Sequence, residues 1–85
     1  MELHYLTWLR SRIGKEAETR DLPSGVETLA QFRDWLLRQD PAYACLKTYE
    51  DVINISVNGT VVEKPDVHRI KPDDKIIFFS PLAGG

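Results

Sequence analysis

The clearest periodic pattern in the chain is helical and covers residues 28–40. Its apolar positions recur at helical spacing and share one face: Leu29, Phe32, Trp35 and Leu36. Charged residues, Arg33 among them, are predicted to lie largely on the opposite face. Thr28 and Gln31 form a capping-box pattern, in which each side chain satisfies a backbone N–H of the first turn. The helix is predicted to end at Asp40, because the residue before a proline is disfavoured in the helical region.

Strand patterns stand before this helix. Residues 3–9 are rich in strand formers and contain no breaker, so they predict a strand. Residues 10–15 are polar and include a glycine, which predicts a turn. Residues 16–22 predict a second, charged strand at the edge of a sheet, where charge discourages pairing with other molecules.

Three further strands are predicted after the helix. Residues 42–51 are mixed, with a short helical turn predicted around Cys45, and residues 52–57 then alternate between apolar and polar. Asn58-Gly59 predicts a type I′ hairpin, because both central residues of that turn need positive φ. Residues 60–62 are the predicted return strand, and residues 75–80 the last one. The predicted order is β-β-α-β-β-β, an α+β sheet of four to five strands with one main helix on one face.

The last strand is predicted to be apolar on both faces. Ile76 and Phe78 point one way and Ile77 and Phe79 the other, and the first strand has the same character at Trp8. A single helix can cover only one face, so the second face is predicted to meet a partner. The predicted partner interface comprises Phe79, Phe78, Ile77 and Trp8. The alternative is an open face that is merely half-buried.

Composition narrows the class of protein. Eighty-five residues with 42% apolar side chains suit one small globular domain. A net charge of −2 gives no reason to expect a nucleic-acid partner. No apolar run approaches the roughly 20 residues of a membrane span, and the start lacks the pattern of a signal peptide. A single cysteine, Cys45, is predicted to be a small buried side chain in a reducing compartment. We therefore expect a cytoplasmic protein that binds neither nucleic acid nor membrane.

Few side chains in the chain could carry chemistry. His4 and His68 have no ligand-type neighbours at metal-binding spacing, so both are predicted to be structural or solvated, and no metal is expected. Asp73-Asp74 precedes a strand, which is typical of turn residues. No glycine-rich phosphate loop is present, so no cofactor is expected on this chain. The basic residues at positions 10, 12 and 15 are predicted to form a solvated face; the alternative is contact with an acidic partner.

The last two residues, Gly84-Gly85, are the strongest functional signal. Glycine has no Cβ, so such a tail can enter a channel too narrow for any side chain. Residues 1–80 are predicted to be the domain and residues 81–85 a flexible tail, which would reach roughly 17 Å when extended. Its predicted insertion residues are Pro81, Leu82, Ala83 and Gly84, and the predicted reactive group is the carboxyl of Gly85. The alternative is a frayed end without a role.

The sequence of elements resembles the ubiquitin-like β-grasp fold, and three segments resemble the small subunit of molybdopterin synthase. The tail, residues 78–85 (FFSPLAGG), is similar to that family's C-terminal signature and is fairly specific. Residues 5–14 resemble its first strand and the Arg-containing turn after it, and residues 57–62 resemble its central hairpin. Ser80 departs from the pattern, since the family usually has proline there.

This resemblance implies a sulfur-carrier cycle. An activating enzyme would use ATP to adenylate the carboxylate of Gly85, which supplies a good leaving group. A sulfur donor protein would then displace AMP and leave a thiocarboxylate. The tail would insert into the large subunit of molybdopterin synthase, within a heterotetramer, and the sulfur would attack a cyclic pterin precursor. The acids, bases and phosphate-binding groups would belong to the partner, so the chain is not expected to be an enzyme by itself.

Three other functions remain open at this stage. A sulfur carrier of the thiamine pathway shares the fold, tail and adenylation chemistry, although such proteins are typically shorter and lack the Phe-Phe-x-Pro approach. A ubiquitin-like modifier would use Gly85 to form isopeptide bonds with lysines. A plain binding module would carry an incidental tail.

Overall fold

Five strands and three helices make up residues 1–81, the part of the chain that the computed structural model describes. The strands are β1 (Glu2–Tyr5), β2 (Ala17–Thr19), β3 (Asn54–Val57), β4 (Thr60–Val61) and β5 (Lys75–Phe79). The helices are α1 (Trp8–Ile13), α2 (Leu29–Gln39) and α3 (Cys45–Thr48), and a 3₁₀ turn (Pro41–Ala44) directly precedes α3. The sheet has the order β2-β1-β5-β3-β4. β1 and β5 are parallel and the other neighbours antiparallel, so the sheet is mixed, as predicted.

The prediction of one strand over residues 3–9 followed by a turn is wrong. β1 ends at Tyr5, and α1 occupies most of the predicted turn. Leu9 and Ile13 are one helical turn apart and both buried, which gives this short helix its own inner face. Gly14 ends it in the left-handed conformation, with φ 87°, and donates its N–H to the carbonyl of Arg10.

The main helix forms as predicted. The Thr28 side chain accepts a hydrogen bond from the backbone of Gln31, and the Gln31 side chain accepts one from the backbone of Thr28, so the capping box is complete. Asp40 ends α2 and caps the 3₁₀ turn that follows, accepting from Ala42 N–H at 2.8 Å. One prediction fails: Arg33 is buried rather than on the solvated face, because residues 50–65 fold over that side of α2.

The hairpin after α3 also forms as predicted. Asn58 and Gly59 both have positive φ, 52° and 87°, as a type I′ turn requires. β3 pairs with β4 through Val57↔Thr60. Asp74 closes the neighbouring turn: its carboxylate accepts from the Lys71 N–H and the Asn58 amide, both at 2.8 Å. The predicted turn role of Asp73-Asp74 therefore holds for Asp74.

The hydrophobic core lies between the sheet and the helices. Side chains on one face of each central strand are completely buried against α2, among them Leu3, Tyr5, Ile76 and Phe78. The burial of β5 alternates strictly, which is the pattern of a strand with one face on the core. None of the helices within residues 1–81 has the length and apolar character needed to cross a membrane.

Candidate functional site

The end of β5 brings the chain out from the middle of the sheet. β5 lies between β1 and β3, and its parallel pairing with β1 places the carboxyl ends of both strands at the same edge. Ser80 is buried directly after β5, and Pro81 is exposed. The remaining predicted tail residues lie outside the described part of the chain: Leu82, Ala83, Gly84 and Gly85.

An apolar strip leads to this exit on the face of the sheet opposite α2, which we call the open face. Ile77 and Phe79 of β5 lie on it and are half-buried within the chain itself. Leu6 directly follows β1 and is 39% exposed. Its N–H donates to the carbonyl of Phe78 at 3.0 Å, which holds it beside β5. Ile77, Phe79 and Leu6 therefore form a short apolar strip that ends where the tail begins.

Two of the four residues predicted for a partner interface lie elsewhere. Phe78 is fully buried in the core and stacks on Tyr5, with ring centroids 5.6 Å apart, so it has no surface to offer a partner. Trp8 lies in α1 rather than on a strand and packs edge-on against Tyr49 at 5.2 Å. The guanidinium of Arg12 lies over both of those rings. The structure thus keeps Ile77 and Phe79 together on the open face and separates Phe78 and Trp8 from them.

The turn between β1 and α1 carries an unusual backbone conformation. Thr7 has φ 57° and ψ −136°, a region that residues with a side chain rarely adopt. The Leu9 N–H donates to the Leu6 carbonyl at 3.3 Å across this turn, and the Thr7 hydroxyl donates to the same carbonyl at 2.7 Å. The conformation places Leu6 on the apolar strip, and nothing in the local sequence indicates it, since glycine would be the expected residue.

A polar network that the sequence does not predict ties the N-terminal strands to the 3₁₀ turn. The hydroxyls of Tyr5 and Tyr43 both donate to the same carboxylate oxygen of Glu18. Arg20 donates to the other oxygen at 2.8 Å and to Tyr43 at 3.1 Å. Burial raises the pKa of Glu18, but the hydrogen bonds from Tyr43, Tyr5 and Arg20 outweigh it, and the pKa lies below its usual value.

The same network affects the other ionisable groups in it. Burial and the hydrogen bond to Glu18 raise the pKa of Tyr5, so this phenol stays protonated at neutral pH. Lys15 approaches Glu18 at 3.4 Å, and its pKa is raised mainly by its contact with Tyr43. The network joins β2 to β1 and to the 3₁₀ turn, so its role is to hold β2 in place.

The remaining candidate residues have structural positions. His4 is in β1, opposite Ile77, and His68 lies in the connection before β5, where its carbonyl accepts from Leu29 N–H. Cys45 is buried, and burial raises the pKa of its thiol. Arg10 is exposed and pairs with Glu16 at 3.3 Å. Within residues 1–81, no group of three His, Cys, Asp or Glu side chains is arranged to hold a metal ion.

Comparison with known proteins adds a family and a fold. Residues 3–85 match the sequence model of the ThiS family. SAMP1 from Haloferax volcanii shares the fold with a TM-score of 0.75 and 24% identity, over 100% of this chain and 98% of that one. A protein from Pyrococcus furiosus, assigned as subunit 1 of a molybdopterin converting factor, superposes with a TM-score of 0.67 and 26% identity, over 95% of each chain. No curated protein matches the sequence.

Proposed function

Because the chain belongs to the ThiS family of ubiquitin-like sulfur carriers, we propose that it is the sulfur-carrying small subunit of a molybdopterin synthase. The observation that carries this proposal is the apolar strip of Leu6, Ile77 and Phe79, which runs along the open face to the point where the tail leaves the sheet. A surface of this kind can dock on a large subunit while the tail enters its active site. The likeness to the Pyrococcus furiosus protein favours this acceptor over others.

The proposed chemistry takes place at Gly85, and the fold serves to deliver it. A carboxylate is a poor electrophile, so the activating enzyme binds ATP and transfers AMP from it to the carboxylate. Sulfide delivered by a sulfur donor protein displaces AMP and leaves a thiocarboxylate, whose sulfur then attacks the cyclic pterin precursor. Hydrolysis of the resulting acyl–sulfur bond leaves the sulfur on the pterin and returns the carboxylate of Gly85. Gly84 lets the chain pass a channel too narrow for a side chain. The large subunit supplies the acids, bases and phosphate-binding groups, and two copies of each subunit form the complex.

Polar contacts around the exit support a division of labour between the two proteins. Ser80, directly after β5, is buried and has an interaction within the chain. The strongest ionisable network, centred on Glu18, is committed to holding β2. The described residues near the end of β5 thus offer apolar surface rather than reactive groups, as a carrier that leaves catalysis to its partner requires.

The decisive experiment combines intact mass with a single-turnover assay. The purified chain is incubated with ATP, an adenylating enzyme and a sulfur donor, and its mass is measured before and after. The expected change is the replacement of one oxygen by sulfur, located by fragmentation at Gly85. The loaded carrier should then convert the cyclic pterin precursor when the large subunit is added. A mass change without turnover would contradict the assignment to molybdopterin synthase.

A thiamine-pathway carrier is the second candidate, because membership of the ThiS family fits both carriers and both share the adenylation chemistry. The molecule that accepts the sulfur distinguishes the two carriers. A thiamine-pathway carrier would supply sulfur to thiazole synthesis and leave the pterin precursor unchanged. A protein modifier would instead form lysine-linked conjugates in cells, which intact-mass measurement of the protein recovered from cells detects.

A further inference from the structure

The edge of the sheet formed by β4 is open to another strand. β4 is the last strand in the order β2-β1-β5-β3-β4, and no strand within residues 1–81 pairs with its outer side. Val61 lies opposite Ser56, and the Val62 N–H donates to Ile55 at 2.8 Å, so the backbone N–H and C=O of Val61 point away from β3. Its side chain is 50% exposed. An edge of this kind is a template for strand addition.

Two cavities adjoin this edge and share Val61, Val62 and Glu63. The smaller, about 380 Å³, also includes Val67, which is 72% exposed. The larger, about 470 Å³, lies between β4 and the side of α2. Its apolar and charged walls are formed chiefly by Arg33, Glu50, Asp51, Ile53, Glu63 and Pro65. The side chains of a strand added to β4 would alternate between the two faces of the sheet, and the adjacent cavities would receive some of them.

The charge of the larger cavity is negative. Glu50 is paired with Arg33 at 3.6 Å and with Lys47 at 3.2 Å. Among residues 1–81, neither Asp51 nor Glu63 has an ion-pair or hydrogen-bond partner. These two carboxylates are therefore unpaired and lie beside apolar surface, and Lys64 is the cationic residue that lines the smaller cavity with Glu63.

Arg33 is the cationic residue that lines the larger cavity, and its side chain is buried. The Arg33 side chain is only 9% exposed, and its Nε has no hydrogen-bond acceptor, since Asp34 stands 3.7 Å away. A buried donor without an acceptor costs about 1–3 kcal/mol.

From these contacts we propose that the β4 edge binds an extended segment of a partner protein in which a lysine or arginine is flanked by aliphatic residues. The basic side chain pairs with Asp51 and Glu63, the aliphatic ones pack on Val61 and Val67, and the backbone bonds to Val61. The site is two strands away from β5, so it goes beyond the proposed carrier role and leaves the tail free.

A second copy of this chain is a poorer occupant for physical reasons. Pairing β4 with β4 would bring Glu63 and Asp51 of both copies to the same interface, and like charges facing each other are destabilising. An acidic segment is disfavoured for the same reason. The surface thus selects a partner of opposite charge.

The test is a titration of the full chain, followed by backbone NMR, with a capped nine-residue peptide that alternates valine and lysine. The comparison peptide has glutamate in place of each lysine. The lysine peptide should shift and protect the amides of Val61 and its neighbours. The double variant Asp51→Asn, Glu63→Gln should weaken its affinity about fivefold, whereas Asp21→Asn, an exposed carboxylate elsewhere, should not. Val61→Pro should abolish binding, because it removes the outward N–H.

Several outcomes would overturn the proposal. Equal binding of the two peptides would remove the charge argument, and shifts centred on Ile77 and Phe79 would assign the peptide to the open face instead. Self-association of the chain through β4, seen without peptide, would make a second copy the occupant. None of these readouts depends on Gly85 or on sulfur, so the result is independent of the proposed carrier function.

Discussion

At the scale of single residues, backbone conformation at two turns decides where surface side chains lie. Asn58-Gly59 adopts positive φ at residues suited to it, and the sequence indicates this directly. Thr7 adopts positive φ against its preference, and only the surrounding structure explains it. The turn at Thr7 joins the buried Tyr5 and Leu9, so packing on both sides fixes the intervening residues. Such a strained residue beside the apolar strip indicates that the position of Leu6 matters.

Replacement of Thr7 by glycine should stabilise the isolated chain. Strain at a residue with a side chain in this region costs on the order of 1–3 kcal/mol of folding free energy, and glycine removes it. Glycine also loses more conformational entropy on folding, which offsets about 0.5–1 kcal/mol of this gain. We expect a net gain of about 1 kcal/mol in the free energy of unfolding, measured in urea. Thr19→Gly, in β2 with ordinary φ, is the matched control and should lose stability. A loss at Thr7 would mean that the turn is not strained.

At the scale of elements, the roles of β2 and β5 depend on residues that are distant in the sequence. The Glu18 network holds the short edge strand β2 to the 3₁₀ turn, and β5 carries a core face and an open face at once. Each arrangement joins segments far apart in the sequence. Each can be tested by comparing two substitutions.

The Glu18 network should make stability depend on acid. The folded pKa of Glu18 is lowered, so its contribution is complete above the unfolded pKa of about 4.3 and is lost as the pH falls through the folded value. Glu18→Gln should lose about 1–3 kcal/mol at neutral pH and show a shallower decline below pH about 4. Urea unfolding across pH values measures both. Glu63 is exposed and has no hydrogen-bond or ion-pair partner in the part of the chain that the structure describes, so Glu63→Gln should leave the profile unchanged.

The two faces of β5 should respond differently to substitution. Phe79→Lys should weaken association with the large subunit about tenfold or more, as loss of a central contact does, with a small effect on stability. Phe78→Ala should cost about 3–5 kcal/mol of folding free energy, because it empties the core. Isothermal titration and urea unfolding separate the two effects. If Phe79→Lys binds like the parent chain, the apolar strip is not the docking surface.

At the scale of the whole molecule, the fold brings the tail out of the centre of the sheet rather than from an edge. β5 is paired on both sides, with β1 and β3, so main-chain bonds in two directions hold the strand that leads to the tail. This suits a carrier, because a strand that is paired on both sides fixes the position from which the tail extends. The β4 edge remains open at the far side for a different contact.

Gly84→Ala should abolish sulfur transfer and leave folding intact. The added methyl acts in the partner's channel, so its effect appears only in the complex. Product formation in the reconstituted assay should fall by a factor of at least about 10, which corresponds to roughly 1.4 kcal/mol, while urea unfolding is unchanged. Ala83→Gly is the control and should retain transfer. An unaltered yield from Gly84→Ala would show that the tail is not confined there.

Elements whose signals are local can be predicted from the amino-acid sequence alone. The capping box, the Asn58-Gly59 turn and the alternation of β5 depend on neighbouring residues, and all three predictions are confirmed. The resemblance of the tail pointed to the sulfur-carrier family, and the family match confirms that membership. The roles of the tail residues stay predictions, because Leu82 to Gly85 lie outside the described part of the chain.

Only the tertiary structure decided which apolar residues share a surface. The sequence predicts a strand over residues 3–9 and a turn over 10–15, and α1 forms instead because Leu9 and Ile13 enter the core. Arg33 is placed on a polar face by helical periodicity, yet residues 50–65 cover it. Burial is a property of what folds over a residue, which the residue's own neighbours in sequence do not encode.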